Sequence, residues 1–415
     1  MPLAVLLVKL NAVQVLALSC LGLVAGVQLK RLIPIMDRLN IPAPVIGGLI
    51  YAAVALALRD RVMNFEMDLV LRDILMVAFF TTIGMSASLR LLRIGGIQVA
   101  LFFALSTIGV FLQNVLGLTM AKLLGLEALL GIVAGSIALA GGPATALAFG
   151  ADFENRFAVE GALTFGLAAA MFGIVAGGLL AGFVGGGFVE KLPARERQGS
   201  HAAVVDVAEA AVYPATDPQE PTQLRNESES ETGPLMHTVV AIAIAMGIGT
   251  LISGGFERLG LVLPAYVGAM FAAALLRNVD DFTSWFQLSQ RQMDAVGSVA
   301  LNIFIVMALL TLRLWEIVNL ALPMLLIVLA QIALVWVMAW FVFRLMGRDY
   351  DAAVMSGGFV GFMLGTTANA MACLEVLSAK YGPAPRAFLV VPIVGAFLID
   401  FTNAMIITVF ANWFR

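Results

Sequence analysis

Two interruptions in apolar stretches carry the residues best suited to binding chemistry. The first centres on Gly142 and Pro143 within the stretch at about 126–150, and the second centres on Gly365 within the stretch at about 351–376. Glycine loosens a helix and proline removes one of its hydrogen bonds, so each stretch is predicted to form two short helices. The start of a helix presents unpaired N–H groups and a positive dipole end, which bind carboxylates. Paired breaks in two halves of a membrane protein are typical of the binding site of a secondary transporter.

Polar side chains near the breaks extend this predicted anion site. Asp400 lies inside the last apolar stretch, where a carboxylate is costly and usually functional, either facing a substrate amine or holding a cation. The predicted substrate-binding residues are Gly141, Gly142, Pro143, Ala144, Thr145, Gly365, Thr366, Thr367, Asn369, Asp400 and Asn403. Oxygen atoms would hold a hard cation such as Na⁺, and the predicted ligands are Ser136, Ala140, Thr145, Thr367, Asn369 and Thr402. The alternative interpretations are tight helix packing for the small residues and a structural role for Asp400.

The composition places these residues in a membrane. The chain has 415 residues, of which 61% are hydrophobic and 12% charged, and its mean hydropathy is +0.98. Soluble domains carry about 25% charged residues, so the sequence predicts an all-α polytopic membrane protein. The net charge of −3 indicates no nucleic-acid partner. The apolar stretches contain no nucleophile–base pair, so we expect a protein that is not an enzyme and needs no cofactor.

Hydropathy predicts ten membrane spans, five in each half of the chain. The predicted spans lie at about 12–32, 43–58, 69–89, 95–121 and 160–188, then 236–256, 262–276, 296–312, 318–344 and 386–411. Each broken stretch falls between the fourth and fifth span of its half and is predicted to be a re-entrant hairpin. The halves are residues 1–190 and 235–415. Between them, residues 191–234 are rich in proline and acidic residues, which predicts a disordered linker.

Five crossings per half would insert the second half upside down relative to the first. A faint repeat supports this inverted arrangement, because Gly135 and Thr145 align with Gly357 and Thr367 at a constant offset of 222. Short-loop Lys and Arg residues indicate the orientation. With both termini outside and the linker in the cytoplasm, 15 of the 24 basic residues fall inside and 9 outside.

Several motifs along the chain resemble those of the bacterial glutamate:sodium symporter family. The resemblance is carried by residues 41–48 (IPAPVIGG), 71–84 (LRDILMVAFFTTIG), 135–142 (GSIALAGG), 314–316, 321–324, 349–354 and 387–400 (AFLVVPIVGAFLID). The matching site positions are Gly141, Gly142, Thr145, Gly365, Thr367 and Asp400. The tips differ from the family pattern, since Pro143 and Ala144 stand where the family typically has His-Gly, and Met363, Thr366, Ala368 and Asn369 also depart from it.

The resemblance implies sodium-coupled uptake of L-glutamate across a bacterial inner membrane by a homodimer with two inverted repeats. By analogy with similar folds, it implies an elevator-type movement of a transport domain. Two other functions stay open at this point. One is a proton- or sodium-coupled transporter of another small organic anion such as a dicarboxylate. The other is a channel-like or sensor membrane protein that uses the broken helices as a filter.

Overall fold

The computed structural model describes residues 6–39, 41–59, 61–193, 232–260, 262–283, 288–317 and 320–414. The described part of the first half contains β1 Leu6–Leu10, α1 Ala12–Leu32, α2 Pro34–Arg38, α3 Ala43–Leu58, β2 Met63–Met67, α4 Val70–Ser86, α5 Leu89–Leu123, α6 Ala128–Ile132, α7 Gly142–Phe157 and α8 Ala162–Glu190. The second half contains α9 Thr232–Arg258, α10 Ala265–Thr283, α11 Gln290–Leu310, α12 Ala321–Leu345, α13 Tyr350–Leu364, α14 Thr367–Tyr381, α15 Pro385–Pro392 and α16 Ile399–Phe414. Most of the predicted linker at 191–234 lies outside the described residues.

Seven helices in the described part of the chain are long and apolar enough to cross a membrane. They are Ala12–Leu32, Gly96–Leu123, Ala162–Glu190, Leu235–Arg258, Gln290–Leu310, Ala321–Leu345 and Pro385–Phe414. Shorter apolar helices occur as well, at Ala43–Leu58, Ala128–Ile137 and Tyr350–Leu364. The prediction of an all-α polytopic membrane protein is therefore confirmed.

One small sheet was not predicted from the sequence. Strands β1 and β2 pair in parallel, with Leu6 opposite Met63 and Leu10 opposite Met67. Lys9 and Glu66 form an ion pair of 2.9 Å across the two strands. The partners are separated by more than 50 residues, so no local pattern in either strand indicates the pairing. The sheet thus joins the segment before α1 to the segment before α4.

Each broken stretch folds as short helices that meet at the break. In the first, α6 is followed by a π-helical turn at Val133–Ile137 and then by α7. In the second, Gly365 and Thr366 separate α13 from α14, which pack side by side. We call these two segments the first hairpin (α6–α7) and the second hairpin (α13–α14).

The helices pack in two groups. The first helix group contains α1, α3, α4, α9, α10 and α11, and the second contains α5 to α8 and α12 to α16, including both hairpins. The groups contact each other where α7 lies against α11 and where α16 lies against α4 and α10. Inside the second group, α8 packs against both hairpins, mainly against α7 of the first and against α13 and α14 of the second. Helix α8 therefore supports both hairpins at once.

A glycine in α8 makes this double contact possible. A Cβ atom on Gly173 would lie 2.3 Å from the Leu364 carbonyl oxygen and 2.5 Å from Leu139 Cδ2. Both distances are below any normal van der Waals contact, so only glycine fits between the two hairpins. Leu364 directly precedes Gly365, and Leu139 lies three residues before Gly142, so α8 packs against the chain just before each break.

Candidate binding site at the hairpin tips

The tips of the two hairpins meet in the second helix group. Gly142 adopts a left-handed backbone conformation with a φ of +67°. A Cβ atom there would lie 3.2 Å from Thr366 Cγ2 and 3.5 Å from the Gly365 carbonyl oxygen. The first residues of α7 and α14 are therefore neighbours, although about 220 residues separate them in the sequence.

Neither helix start carries a side-chain cap. Gly141, which has no side chain, precedes α7. Thr366 precedes α14, and its hydroxyl accepts no hydrogen bond from that helix. Helices usually satisfy these first N–H groups with a Ser, Thr, Asp or Asn cap. Two uncapped helix starts at one place give unsatisfied donors and two positive dipole ends, an arrangement that suits an anion.

The predicted threonines lie on the first turns of these helices with different environments. Thr145 is 6% exposed, packs over Gly141, and its hydroxyl makes no hydrogen bond to any described residue. Thr366 is half-buried at the contact between the tips. Thr367 Oγ1 donates a 2.8 Å hydrogen bond to the Gly395 carbonyl. That carbonyl lies in the π-helical segment at Ile393–Leu398, where the widened helix frees backbone acceptors.

Buried amides beside the breaks donate hydrogen bonds to backbone carbonyls of other segments. Asn369 Nδ2 donates to the Ile174 carbonyl of α8 at 2.7 Å, and Asn403 Nδ2 donates to the Ser136 carbonyl at 3.1 Å. Gln113 Nε2 donates to the Met363 carbonyl, next to the second tip, at 2.9 Å. Backbone groups buried at a helix break need partners of this kind, so the amides stabilise the two tips.

Several oxygen atoms beside the tips are buried and have no hydrogen-bond partner among the described residues. They are Ser136 Oγ, Asn369 Oδ1, Asn403 Oδ1, Gln113 Oε1 and Gln331 Oε1. An unsatisfied buried polar atom costs about 1–3 kcal/mol, so these oxygens are candidates to contact a ligand, an ion or water. No group of three or more His, Cys, Asp and Glu side chains suited to a metal occurs in the described part of the chain. The donor set near the tips therefore consists of neutral oxygens.

The remaining predicted site residues form no side-chain hydrogen bond with the tips in the described part of the chain. Asp400 is half-buried in α16, one turn before Asn403, and makes no hydrogen bond or ion pair with a described residue. Thr402 Oγ1 donates to the Leu398 carbonyl of its own helix at 3.2 Å. Ala140, Pro143 and Ala144 are buried at the first tip and offer only backbone groups. The structure thus brings the tip residues together with Asn369 and Asn403, and it shows no bond between Asp400 and the tips.

Gln331 of α12 was not predicted to belong to the site. Its Nε2 donates to the Gln113 carbonyl of α5 at 2.7 Å, and its side chain also approaches Gly117 and Gly135. Gln113 and Gln331 each lie in the middle of a long apolar helix, and they are 218 residues apart. That separation is close to the repeat offset of 222, which is the signal that could have identified Gln331.

Comparisons with known proteins agree with one another. A family model described as sodium/glutamate symporter matches residues 8–383. The sodium/glutamate symporter of Haemophilus influenzae is 35% identical over 402 residues, which cover 95% of this chain and 96% of that protein. The sodium/glutamate symporters of Escherichia coli K12 and Shigella flexneri are each 35% identical over 408 residues, or 97% of both chains. Symporters carry solutes and are not enzymes. The chain therefore belongs to the sodium/glutamate symporter family.

Proposed function

We propose that this protein is a sodium-coupled symporter that takes up glutamate across a bacterial inner membrane. The observation that carries the proposal is the meeting of two uncapped helix starts, at Gly142 and Thr367, inside an apolar helix bundle. Family membership supports the same substrate and coupling ion, because the relatives are named as sodium/glutamate symporters. A substrate with carboxylates matches the donors at the tips.

Each part of the site has a distinct role in this proposal. The backbone N–H groups at the starts of α7 and α14 bind the substrate carboxylates, and the hydroxyls of Thr145 and Thr366 add donors beside them. Gly141, Gly142 and Gly365 let the substrate approach the backbone closely. Asp400 faces the substrate amine when the site is closed around its ligand. A bond of this kind would supply the partner that Asp400 lacks among the described residues.

Sodium binds next to the tips on neutral oxygens. Ser136 Oγ, Asn403 Oδ1 and Asn369 Oδ1 are buried without partners, which is the environment a dehydrated Na⁺ requires. Ala140, Thr145, Thr367 and Thr402 remain candidate ligands on the neighbouring turns. Asn369, on the first turn of α14, also binds the Ile174 carbonyl of α8, and Asn403 binds the Ser136 carbonyl of the first hairpin. Sodium occupancy would therefore order both tips. That ordering is the proposed physical basis of coupling between the ion and the substrate.

The proposed topology has ten spans in two inverted repeats, with both hairpins re-entrant. Three helix contacts support this, because each recurs when its helices are exchanged for their counterparts in the other half. The α1–α3 pair corresponds to α9–α10, α3–α11 to α10–α4, and α5–α16 to α8–α12. The bias of basic residues supports periplasmic termini and a cytoplasmic linker at 191–234. By the family resemblance, two copies form a homodimer.

Transport is proposed to follow an elevator-type alternating-access mechanism. The division into two helix groups supports it, since the second group contains both hairpins and every residue of the proposed site. That group would move as a unit against the first group. The movement would carry the closed site from one side of the membrane to the other.

A second candidate function is transport of another small organic anion, such as a dicarboxylate, coupled to sodium or protons. Two observations favour it. Asp400 makes no bond to the tips, and the residues at 143, 144, 366 and 369 depart from the family pattern. A dicarboxylate needs both helix starts but no amine partner.

One experiment separates these functions and excludes a channel or sensor. Labelled glutamate is offered to proteoliposomes with and without a sodium gradient, and unlabelled dicarboxylates are added as competitors. Saturable, sodium-dependent accumulation of glutamate that dicarboxylates do not inhibit supports the first proposal. Inhibition by dicarboxylates with weak glutamate uptake supports the second. Flux that neither saturates nor accumulates against a gradient contradicts both.

A further inference from the structure

A cavity lies between the two helix groups, outside the hairpin tips. Its volume is about 270 Å³, and it is bounded by α7 on one side and by α4, α10 and α11 on the other. We call it the outer cavity. Its lining runs along α7 from Arg156, near the end of the helix, to Leu147, two residues beyond Thr145. The outer cavity thus approaches the binding site through the first hairpin.

A buried tyrosine with an unpartnered hydroxyl is one of the residues that line the outer cavity. Tyr266 of α10 is 2% exposed, and its hydroxyl has no hydrogen-bond partner among the described residues. Its ring is held between Phe80 of α4, at a centroid distance of 4.9 Å, and Phe149 of α7, at 5.2 Å. Because the ring is fixed by both helix groups, the hydroxyl cannot turn away to find a partner elsewhere.

An acidic side chain beside the tyrosine also keeps one free oxygen. Asp152 Oδ1 accepts a 2.8 Å bond from Arg156 Nε, whereas Asp152 Oδ2 is buried without a partner. Arg156 in turn binds Glu257 of α9 at 2.6 Å, and this pair lies at the rim. Two residues that line the cavity, Tyr266 and Asp152, therefore each carry a buried, unpartnered oxygen that can accept a hydrogen bond from a cationic group.

A guanidinium group supplies the opposite charge in the same cavity. Arg72 of α4 has a side chain that is only 12% exposed, and its Nε and Nη2 both bind Asp73 Oδ1, at 2.9 and 2.7 Å. Three of its five N–H donors are not used in that pair. An acceptor pair and a guanidinium in one cavity match the ammonium and carboxylate of an amino acid. The volume is just below the roughly 300 Å³ at which sites for drug-sized ligands begin, so it suits a solute of this size.

We propose that the outer cavity is a second binding site for an amino-acid substrate on its way to the hairpin tips. Asp152 Oδ2 and the Tyr266 hydroxyl bind the substrate ammonium, and the free N–H groups of Arg72 bind its α-carboxylate. This inference rests on the proposed function, because it assumes an amino-acid substrate. It adds a contact for the ammonium group that the substrate meets before it reaches Asp400 and the hairpin tips.

The Tyr266→Phe variant tests this site cleanly. A hydroxyl that is buried without a partner contributes nothing to stability, so its removal leaves the melting temperature unchanged or higher. If the hydroxyl binds the substrate, the KM for glutamate uptake rises about tenfold, since a hydrogen bond to a charged group contributes about 1.5–3 kcal/mol. Asp152→Asn is the second variant, and its KM rises in the same direction. Tyr381→Phe is the control, because Tyr381 donates to Glu190 at an exposed position.

The measurement is initial uptake of labelled glutamate by proteoliposomes containing the full chain, with KM and Vmax determined separately, beside a thermal unfolding curve for each variant. A raised KM in Tyr266→Phe and Asp152→Asn, with wild-type KM in Tyr381→Phe, supports the outer site. Wild-type KM in a folded Tyr266→Phe refutes the outer site and leaves the proposed function standing. Failure of the wild-type protein to accumulate glutamate refutes the proposed function and the outer site together.

Discussion

Replacing Gly142 with alanine tests whether the contact between the hairpin tips controls transport. Gly142 has a φ of +67°, and a Cβ atom there would lie 3.2 Å from Thr366 Cγ2. The substitution has two effects. An L-residue in this left-handed conformation is less favourable than glycine by about 1–2 kcal/mol. The new methyl group also displaces Thr366 by a few tenths of an ångström.

A matched control separates these two effects. Gly125 has a φ of +72°, and a Cβ atom there would meet nothing within 4 Å. Gly125→Ala and Gly142→Ala should therefore each lower the free energy of unfolding by about 1–2 kcal/mol. Only Gly142→Ala should lose uptake. A displacement of about 1 Å can reduce a rate about 100-fold, so the smaller shift here should reduce uptake about tenfold.

The assay is sodium-driven accumulation of labelled glutamate in proteoliposomes, normalised to folded protein, with thermal unfolding of each variant. Equal uptake by Gly142→Ala and Gly125→Ala would refute the reasoning, because the tip contact would then have no influence on transport. Thr366→Ser removes the Cγ2 atom that the new methyl group meets and keeps the hydroxyl. The Gly142→Ala/Thr366→Ser double variant should therefore recover most of the lost uptake.

Three further predictions follow from the site and its supports. Ser136→Ala should raise the sodium concentration for half-maximal uptake about tenfold with no loss of melting temperature, because Ser136 Oγ has no partner among the described residues. The control is Ser356→Ala, which removes a 2.7 Å hydrogen bond to the Ala352 carbonyl and should leave the sodium dependence unchanged. The reverse pattern would exclude Ser136 as a sodium ligand. Asp400→Asn should abolish glutamate uptake in a protein that still folds, so wild-type uptake would end its assignment to the amine. Gly173→Ala should lower the free energy of unfolding by about 1–3 kcal/mol, because the new methyl group clashes with both hairpins. Gly187→Ala on the same helix has open space around it and should not lower the free energy of unfolding. Equal melting temperatures for the two variants would contradict the close packing of α8.

Features that depend on local composition could be predicted from the sequence. Helices α1 (Ala12–Leu32) and α3 (Ala43–Leu58) coincide with the first two predicted spans, which hydropathy alone located. The breaks at Gly142 and Gly365 could be predicted because glycine loosens any helix and proline removes one of its hydrogen bonds. The pairing of β1 with β2 could not be predicted, because it depends on a partner far along the chain.

The contacts that complete the site also depend on long-range packing. Asn369 was predicted as a site residue, but its acceptor, the Ile174 carbonyl in α8, is not identifiable from a run of apolar residues. The Gly395 carbonyl, which accepts from Thr367, is free only because the last helix widens there. A single amide in an apolar helix, such as Gln331, resembles an ordinary interhelical contact until the fold places it beside Gln113. The role of Asp400 stays a prediction.

A cryo-EM structure of the full chain in sodium and glutamate tests the central claim most directly. We predict that a glutamate carboxylate lies between Gly142 and Thr366, within hydrogen-bond distance of backbone N–H groups at the starts of both α7 and α14. Glutamate bound without contact to either helix start, or with one hairpin tip far from the ligand, would contradict it.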